Sequence, residues 1–162
     1  MRTMRKGTYA TTINCFDGKI QAPTRKYLKR RFRVEFVDPI TEPGIEKILT
    51  DDSGNPDFEF LKRWIRDVKL KTSIVDHGSR FISIAAHHKC LGNSAGKEEK
   101  LTQLVKVRDV VRQMIKDLGL DHLDIEIVLL WINEHLLPEE VHVGADGTIS
   151  CHERVLPAIM AV

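Results

Sequence analysis

The stretch RFISIAAHHKC, residues 80–90, decides the fold. Its first part, Arg80 to Ala86, is mostly apolar and contains β-branched and aromatic side chains, which is typical of a buried strand. Two histidines, a lysine and a cysteine follow at once. A buried strand that ends in His87 and, three residues on, Cys90 indicates a sheet whose strand ends carry side chains able to bind a ligand.

Three further segments have strand character. They are rich in β-branched residues or alternate between apolar and polar side chains. The predicted strands are Tyr9–Cys15, Phe32–Ile40, which we expect to stop at Pro39, and Ile125–Ile132. Near the C-terminus, Val141–Ser150 has Asp146-Gly147 at its middle, which predicts a hairpin.

Helical patterns lie between these strands. The segment Ala22–Phe32 is predicted to be a helix with Pro23 in its first turn. Between Asp57 and His77, apolar residues recur at helical spacing, and the same holds from Leu101 to Leu118. The positions that carry these two patterns are Phe58, Leu61, Ile65 and Val68, then Leu101, Leu104, Val105, Val111, Ile115 and Leu118.

Strands that alternate with helices of this length imply right-handed crossovers and a parallel sheet. We therefore predict an α/β fold: a three-layer α-β-α arrangement with a central, mostly parallel sheet of four strands plus a C-terminal edge hairpin. No repeat, linker or composition change divides the sequence, so residues 1–162 are predicted to form a single domain.

Composition excludes several classes of protein. The chain has 162 residues, 42% of them apolar and 30% charged, with a formal net charge of +2. This near-neutral balance does not favour binding to nucleic acid or to a membrane surface. No apolar run approaches the roughly 18 residues of a membrane span, and no secretory signal is recognisable, so we expect a cytoplasmic protein. Three widely spaced cysteines indicate free thiols or metal ligands rather than disulfides.

Three side chains, those of Cys15, His87 and Cys90, are candidate metal ligands. Cys15 closes the first predicted strand and His87 the third, so both are expected at the same edge of the sheet. Together with Cys90 they would offer two thiolates and an imidazole, a donor set that suits zinc. We also expect a helix to start directly after Cys90, where its amide groups would favour the thiolate form.

Asp17 lies two residues beyond Cys15. In an extended segment this spacing places both side chains on the same side of the backbone. The carboxylate could accept a hydrogen bond from water on the metal, or it could occupy the fourth ligand position itself.

Structural interpretations remain open for each of these residues. Cys15 and Cys90 could be buried small apolar residues, and His87 a hydrogen-bonded core histidine. Asp17 could be a turn or cap residue after a strand. Lys19 could be an ordinary solvated lysine.

Two motifs resemble those of a known family. The segment CFDGK, Cys15–Lys19, is similar to the Cys-x-Asp-x-Arg element of the β-class carbonic anhydrases, and AHHKCLGN, Ala86–Asn93, is similar to their His-x-x-Cys element. The segment FVDPITEPG, Phe36–Gly44, resembles the family's segment after its second strand. The order of elements agrees over most of the chain. The resemblance therefore implies a β-carbonic-anhydrase-like fold.

The same resemblance implies a function. Cys15, His87 and Cys90 would bind Zn²⁺, and hydroxide formed on the zinc would convert carbon dioxide reversibly to bicarbonate. Asp17 would orient the hydroxide, and Lys19 would pair with Asp17. His88 is a candidate for proton transfer to solvent, or it could point into the flank of the sheet.

The resemblance further implies a homodimer or a larger homo-oligomer with each site near a subunit boundary. The apolar C-terminal segment, Val155–Val162, would suit burial against a partner or docking within the same chain.

The two motifs depart from those of the family at three points, and the stretch from Gly44 to His77 is reshaped as well. Lys19 stands in place of arginine, Gly18 in place of serine, and Leu91 precedes the glycine that usually follows the cysteine. Lysine cannot reproduce the two-bonded pair that arginine makes with a carboxylate. Two alternatives therefore remain: a non-catalytic zinc-binding protein of the same fold, and a hydrolase of a related small molecule such as carbonyl sulfide or carbon disulfide.

Two other features have structural interpretations. The basic run Arg25–Arg33 is expected to be a helix that turns Tyr27, Leu28 and Phe32 inward, rather than a nucleic-acid surface. The stretch Gly92–Glu98 has some likeness to a phosphate-binding loop. It is one residue short and has Glu98 where a hydroxyl is required, so we reject it as that motif.

Overall fold

A computed structural model describes the backbone of residues 2–3 and 5–160 and the side chains of residues 7–158. The strands are β1 Arg2–Thr3, β2 Arg5–Cys15, β3 Val34–Glu42, β4 Phe81–His87, β5 Glu126–Ile132, β6 Pro138–Val143, β7 Ile149–Glu153 and β8 Ile159–Met160. The helices are α1 Gly18–Phe32, α2 Ile45–Thr50, α3 Pro56–Trp64 and α4 Lys97–Asp117, with π-helical segments Ile65–Leu70 and Thr72–Asp76. The predicted burial of the apolar tail falls partly on side chains 159–162, which lie outside the described residues.

The central sheet confirms the predicted topology. Its six strands lie in the order β3-β2-β4-β5-β6-β7. The first four are parallel, and β6 and β7 form the antiparallel hairpin at one edge. A separate parallel pair between β1 and β8 was not predicted.

Helices cover both faces of the sheet. Helix α1 packs on one face through Ile20 and Leu28, against Ala85 and Leu130 of the central strands. Helices α2 and α4 and the π-helical segments cover the other face, and buried residues such as Leu104 belong to that cluster. Because successive strand residues point to opposite faces, β4 and β5 contribute to both clusters. The predicted three-layer arrangement is confirmed.

Helix α1 begins earlier than the sequence analysis predicted. The helix starts at Gly18, so Pro23 lies inside it rather than in its first turn, and that prediction was wrong. The reason is the cap: the Asp17 carboxylate accepts a hydrogen bond from the Lys19 amide at 2.9 Å. This satisfies one of the free amides of the first turn and starts the helix directly after β2.

Strand boundaries also differ from the prediction. The strand β2 extends back to Arg5, and β3 continues through Pro39 to Glu42 instead of stopping at the proline. Proline is tolerated because β3 is the edge strand of the sheet, where one side of the backbone needs no partner.

The predicted helix between Asp57 and His77 is present, but its second half is wound as π-helix. The wider turn, with i→i+5 hydrogen bonds, changes which side chains face the core. Ile65, Leu70 and Ile74 are fully buried, whereas Val68, which the regular spacing placed inward, is 39% exposed.

Within the described residues, no helix is long and apolar enough to cross a membrane.

Candidate metal centre

The three predicted ligands meet at the carboxyl edge of the sheet. Cys15 is the last residue of β2 and His87 the last of the adjacent parallel strand β4. Cys90 follows in a tight loop in which Lys89 takes a left-handed conformation, with φ of 49°. All three residues are buried, and their donor atoms lie within 4.8 Å of one another.

The distances fit a tetrahedral ion. The two sulfur atoms, Cys15 Sγ and Cys90 Sγ, are 3.5 Å apart. A tetrahedral zinc with Zn–S bonds of about 2.3 Å holds two sulfurs roughly 3.8 Å apart, so only a small adjustment is needed.

The His87 ring has one nitrogen, Nε2, available to bind a metal ion. His87 Nδ1 lies 2.9 Å from the carbonyl oxygen of His88. Since a carbonyl can only accept, Nδ1 carries the proton and Nε2 keeps its lone pair. Nε2 is buried and has no hydrogen-bond partner among the described residues. A buried lone pair without a partner is unfavourable, and a metal ion would satisfy it.

The two thiols have different acidities. Burial raises the pKa of Cys15, but hydrogen bonds that stabilise its thiolate, including one from the Gly44 amide, outweigh it and lower that pKa to about 7. Burial and the neighbouring Cys15 raise the pKa of Cys90 to about 11. Two thiolates this close repel each other, so a cation between them is required for both to be ionised at neutral pH.

The expectation that a helix start favours the Cys90 thiolate was wrong. Helix α4 begins only at Lys97, seven positions after Cys90. An intervening turn, in which the Asn93 amide donates to the Cys90 carbonyl, separates the two. The dipole of a helix acts within its first turn and does not reach a thiol in that position.

A glycine pair holds the Cys90 loop in place. At Gly44 an added Cβ atom would lie 2.5 Å from the carbonyl carbon of Gly92, and at Gly92 it would lie 2.6 Å from the Gly44 nitrogen. The loops after β3 and after Cys90 therefore touch backbone to backbone. The Gly44 amide also points to Cys15 Sγ at 3.5 Å.

Asp17 and Lys19 lie beside this cluster at the start of α1. Their side chains form an ion pair, Nζ to Oδ2, at 3.5 Å. The Lys19 amide, with a smaller contribution from the Lys19 ammonium, lowers the pKa of Asp17. Gln21 fixes the intervening turn, because its Nε2 donates to the carbonyls of Cys15 at 2.7 Å and Asp17 at 3.1 Å.

Several residues of the site were not identified from the sequence. Gly44 and Gly92 touch through their backbones, and the Gln21 side chain donates to backbone carbonyls. In the sequence, the glycines near both motifs could have indicated the first two residues. Lys100 is buried on α4, and its Nζ donates to the His87 carbonyl oxygen at 3.1 Å. A lysine on the apolar face of a helical pattern could have indicated it.

A cluster of two thiols and an imidazole at the carboxyl edge of a mostly parallel sheet defines an α/β protein with a candidate metal centre. The sequence model of a family described as "Putative carbonic anhydrase" matches residues 5–142. The chain belongs to this family. No curated protein matches it.

Three solved structures are similar to the chain. They are the β-carbonic anhydrase CafD of Aspergillus fumigatus, β-carbonic anhydrase isoform I of Trichomonas vaginalis, and a tetrameric β-carbonic anhydrase of Sordaria macrospora. The Aspergillus protein is 10% identical with a TM-score of 0.44, covering 83% of this chain and 88% of that one. The Trichomonas protein is 16% identical with a TM-score of 0.38, covering 93% and 86%. The Sordaria protein is 11% identical with a TM-score of 0.40, covering 91% and 81%.

Proposed function

We propose that this protein is a zinc-dependent carbonic anhydrase that interconverts carbon dioxide and bicarbonate. The observation that carries the proposal is the buried Cys15–His87–Cys90 cluster in a chain of this family, with donor atoms within 4.8 Å and His87 Nε2 without a partner. In this proposal the three residues hold zinc. When bound, zinc acts as a Lewis acid that makes water a nucleophile at neutral pH.

Asp17 is the proposed catalytic carboxylate. Its lowered pKa keeps it ionised at neutral pH, so it can accept a hydrogen bond from the reacting water and orient that water's lone pair. Lys19 is the proposed positioning residue, since its ammonium lies 3.5 Å from the Asp17 carboxylate. The pair is partly exposed, and solvent weakens it compared with a buried arginine pair.

Phe16 and Leu91 are exposed apolar residues that directly follow two of the proposed ligands in the sequence. Phe16 is 68% exposed and follows Cys15, and Leu91 is fully exposed and follows Cys90. These side chains would suit a small apolar substrate such as carbon dioxide. They would also suit a second subunit, and we propose a homodimer or larger oligomer. We further propose that the exposed His88 transfers the proton to solvent and that the protein is cytoplasmic.

Elemental analysis and stopped-flow hydration test the proposal. We expect one zinc per chain and carbon dioxide hydration measurable between about pH 6 and pH 9. Asp17→Asn should keep the zinc but lower the hydration rate about 100-fold or more, because the positioned carboxylate is lost. Asp121→Asn is the matched control, since Asp121 is exposed and far along the chain from the site. Cys90→Ser should lose the zinc.

The outcomes separate the alternatives. Zinc without hydration at any pH would leave the non-catalytic zinc protein, and the same preparation can then be assayed with carbonyl sulfide and carbon disulfide. Absence of zinc after growth with added zinc would contradict the proposal. Light scattering after gel filtration tests the oligomer, and a monomer at micromolar concentration would refute that part alone.

A further inference from the structure

A cavity lined by arginines lies at the edge of the sheet opposite the metal centre. Helix α1 starts next to the metal centre, directly after β2, and ends directly before β3. Its 15 residues place its two ends about 22 Å apart. Between the last turn of α1 and the C-terminal segment lies a cavity of about 180 Å³. We name it the arginine cavity, because it is lined by Arg30, Arg31, Arg33 and Arg154, together with residues 155–157.

Two carboxylates that do not line the arginine cavity bind two of its arginines. Arg31 donates to Glu140 at 2.9 Å and to Glu126 at 2.8 Å. Arg154 donates to the other oxygen of Glu140 at 3.2 Å. The two carboxylates balance the charges of Arg31 and Arg154.

The charges of the other two arginines are not balanced. Arg30 donates to the backbone carbonyls of Leu156 and Pro157, which carry no net charge. The side chain of Arg33 has no hydrogen bond or ion pair among the described residues. No aspartate or glutamate lines the cavity in the part of the chain that the structure describes. Two guanidinium charges therefore remain without a counter-ion.

The dipole of α1 does not account for these two charges. Cations in the last turn of a helix are favourable, because the dipole places about half a negative charge there. Half a charge is smaller than the two guanidinium charges that remain. Lys29 adds a further cation to the same turn.

The backbone of Arg33 is an independent indication. Arg33 is the C-cap of α1 and has a left-handed conformation, with φ of 58°. Glycine is the usual residue in this position, since the conformation disfavours a side chain. The chain has an arginine there in spite of the unfavourable backbone conformation, and that arginine lines the cavity. Residues in strained conformations of this kind are found preferentially at binding sites.

The C-terminal segment makes the site concave. Arg154 begins this segment, and Arg30 holds it through the contacts with Leu156 and Pro157. The arginines therefore come from both walls of the cavity. A compact anion between the walls can contact several of them at once, which a flat basic surface does not allow.

We propose that the arginine cavity binds the phosphate group of a small molecule, either inorganic phosphate or a small phosphate ester. Guanidinium groups bind phosphate oxygens through pairs of N–H donors. A phosphate group carries about −1.5 to −2 charges at pH 7, which matches the two guanidinium charges without a counter-ion. The site lies at the opposite end of α1 from the metal centre and does not depend on a metal or on the proposed enzymatic activity.

Nuclear magnetic resonance on the full chain tests the site. Sodium phosphate and glycerol phosphate are titrated separately at about pH 7.5, with sodium acetate at matched ionic strength as control. We expect saturable shifts of the backbone amides of Arg31, Arg33 and Arg154 with at least one of the two phosphates. The phosphate with the tighter affinity shows whether the ligand is the free anion or an ester. No saturable shift, shifts that acetate reproduces, or shifts confined to the amides of Cys15 and Cys90 would overturn the proposal.

A pair of variants assigns the binding to Arg33. Arg33→Gly should weaken phosphate binding about tenfold or more, because it removes a charged donor. The variant should be at least as stable as the wild type in urea unfolding, because glycine suits the left-handed conformation. Arg25→Gln removes the same charge from an exposed position of the same helix and should bind phosphate as the wild type does.

Unchanged affinity in Arg33→Gly, or an equal loss in both variants, would overturn the proposal. If Arg33→Gly does not fold, the wild-type titration decides. A protein without zinc or without hydration activity would leave the result intact.

Discussion

Gly44→Ala, compared with Gly54→Ala, is expected to show that the contact between Gly44 and Gly92 supports both the stability of the fold and the proposed metal centre. Gly44 has φ of +61°, in the left-handed region that disfavours side chains. An alanine Cβ there would lie 2.5 Å from the Gly92 carbonyl carbon, whereas ordinary contact begins at 3.4 Å, so the two backbones must separate by nearly an ångström. The loop that moves carries Cys90.

The expected cost has two parts. The left-handed conformation costs alanine about 1–2 kcal/mol. The forced separation adds about 1–3 kcal/mol, as overpacking does elsewhere. Gly54→Ala isolates the first part, because Gly54 has φ of +75° and an added Cβ meets nothing within 4 Å.

Urea unfolding and competition for zinc with a chromophoric chelator measure the two effects. Both variants should lose about 1–2 kcal/mol of unfolding free energy, and Gly44→Ala should lose about 1–3 kcal/mol more. Only Gly44→Ala should weaken zinc binding, by about tenfold or more, as changes next to metal ligands do. Equal stability and equal zinc affinity in the two variants would refute the reasoning about the glycine contact.

Three further predictions concern other parts of the molecule. Burial raises the pKa of Glu140, but hydrogen bonds from Tyr27, Arg31 and Arg154 outweigh it and lower that pKa. Glu140→Gln should therefore cost about 2–4 kcal/mol of unfolding free energy at neutral pH. In urea unfolding at a series of acidic pH values, the difference in unfolding free energy between variant and wild type should disappear as pH falls through the lowered pKa. Leu104→Ala should cost about 3 kcal/mol by calorimetry because Leu104 is fully buried between α4 and the sheet, with the exposed Thr102→Ala within about 0.5 kcal/mol of wild type. Lys19→Ala should lower the hydration rate less than Asp17→Asn does, and its effect should shrink in high salt, because the pair with Asp17 is largely solvated; an effect independent of salt would contradict this.

The topology of the sheet could be predicted because the spacing of apolar residues and the order of strands and helices along the chain determine it. The strands β4 and β5 are mostly apolar on both faces, which requires helices on both sides. Right-handed crossovers then bring the ends of β2 and β4 to one edge. Cys15 and His87 meet for this reason. Their proximity depends on the order of whole strands and helices, which the sequence pattern indicates.

The remaining details depend on contacts between distant residues or on single hydrogen bonds. The start of α1 is set by one side-chain cap at Asp17, and the π-winding after Trp64 changes the inward face without any proline or glycine to indicate it. The contact of Gly44 with Gly92 joins loops that are 48 residues apart in the sequence. No local pattern contains that information, because each glycine alone is compatible with an ordinary turn.

The ligands of the candidate centre are therefore held by two different means. Cys15 and His87 end neighbouring strands, and the hydrogen bonds of the sheet fix their separation. Cys90 is positioned by a short loop, which rests on the Gly44 contact and on a turn closed by Asn93. Weakening the core should lower the free energy of unfolding while leaving zinc affinity in the folded state unchanged, since the sheet either forms or does not. Loosening the loop should weaken zinc binding in the folded state as well, because the third proposed ligand can move without unfolding the strands. We therefore expect zinc affinity to be controlled by the loop after β4, although two of the three proposed donors come from the sheet.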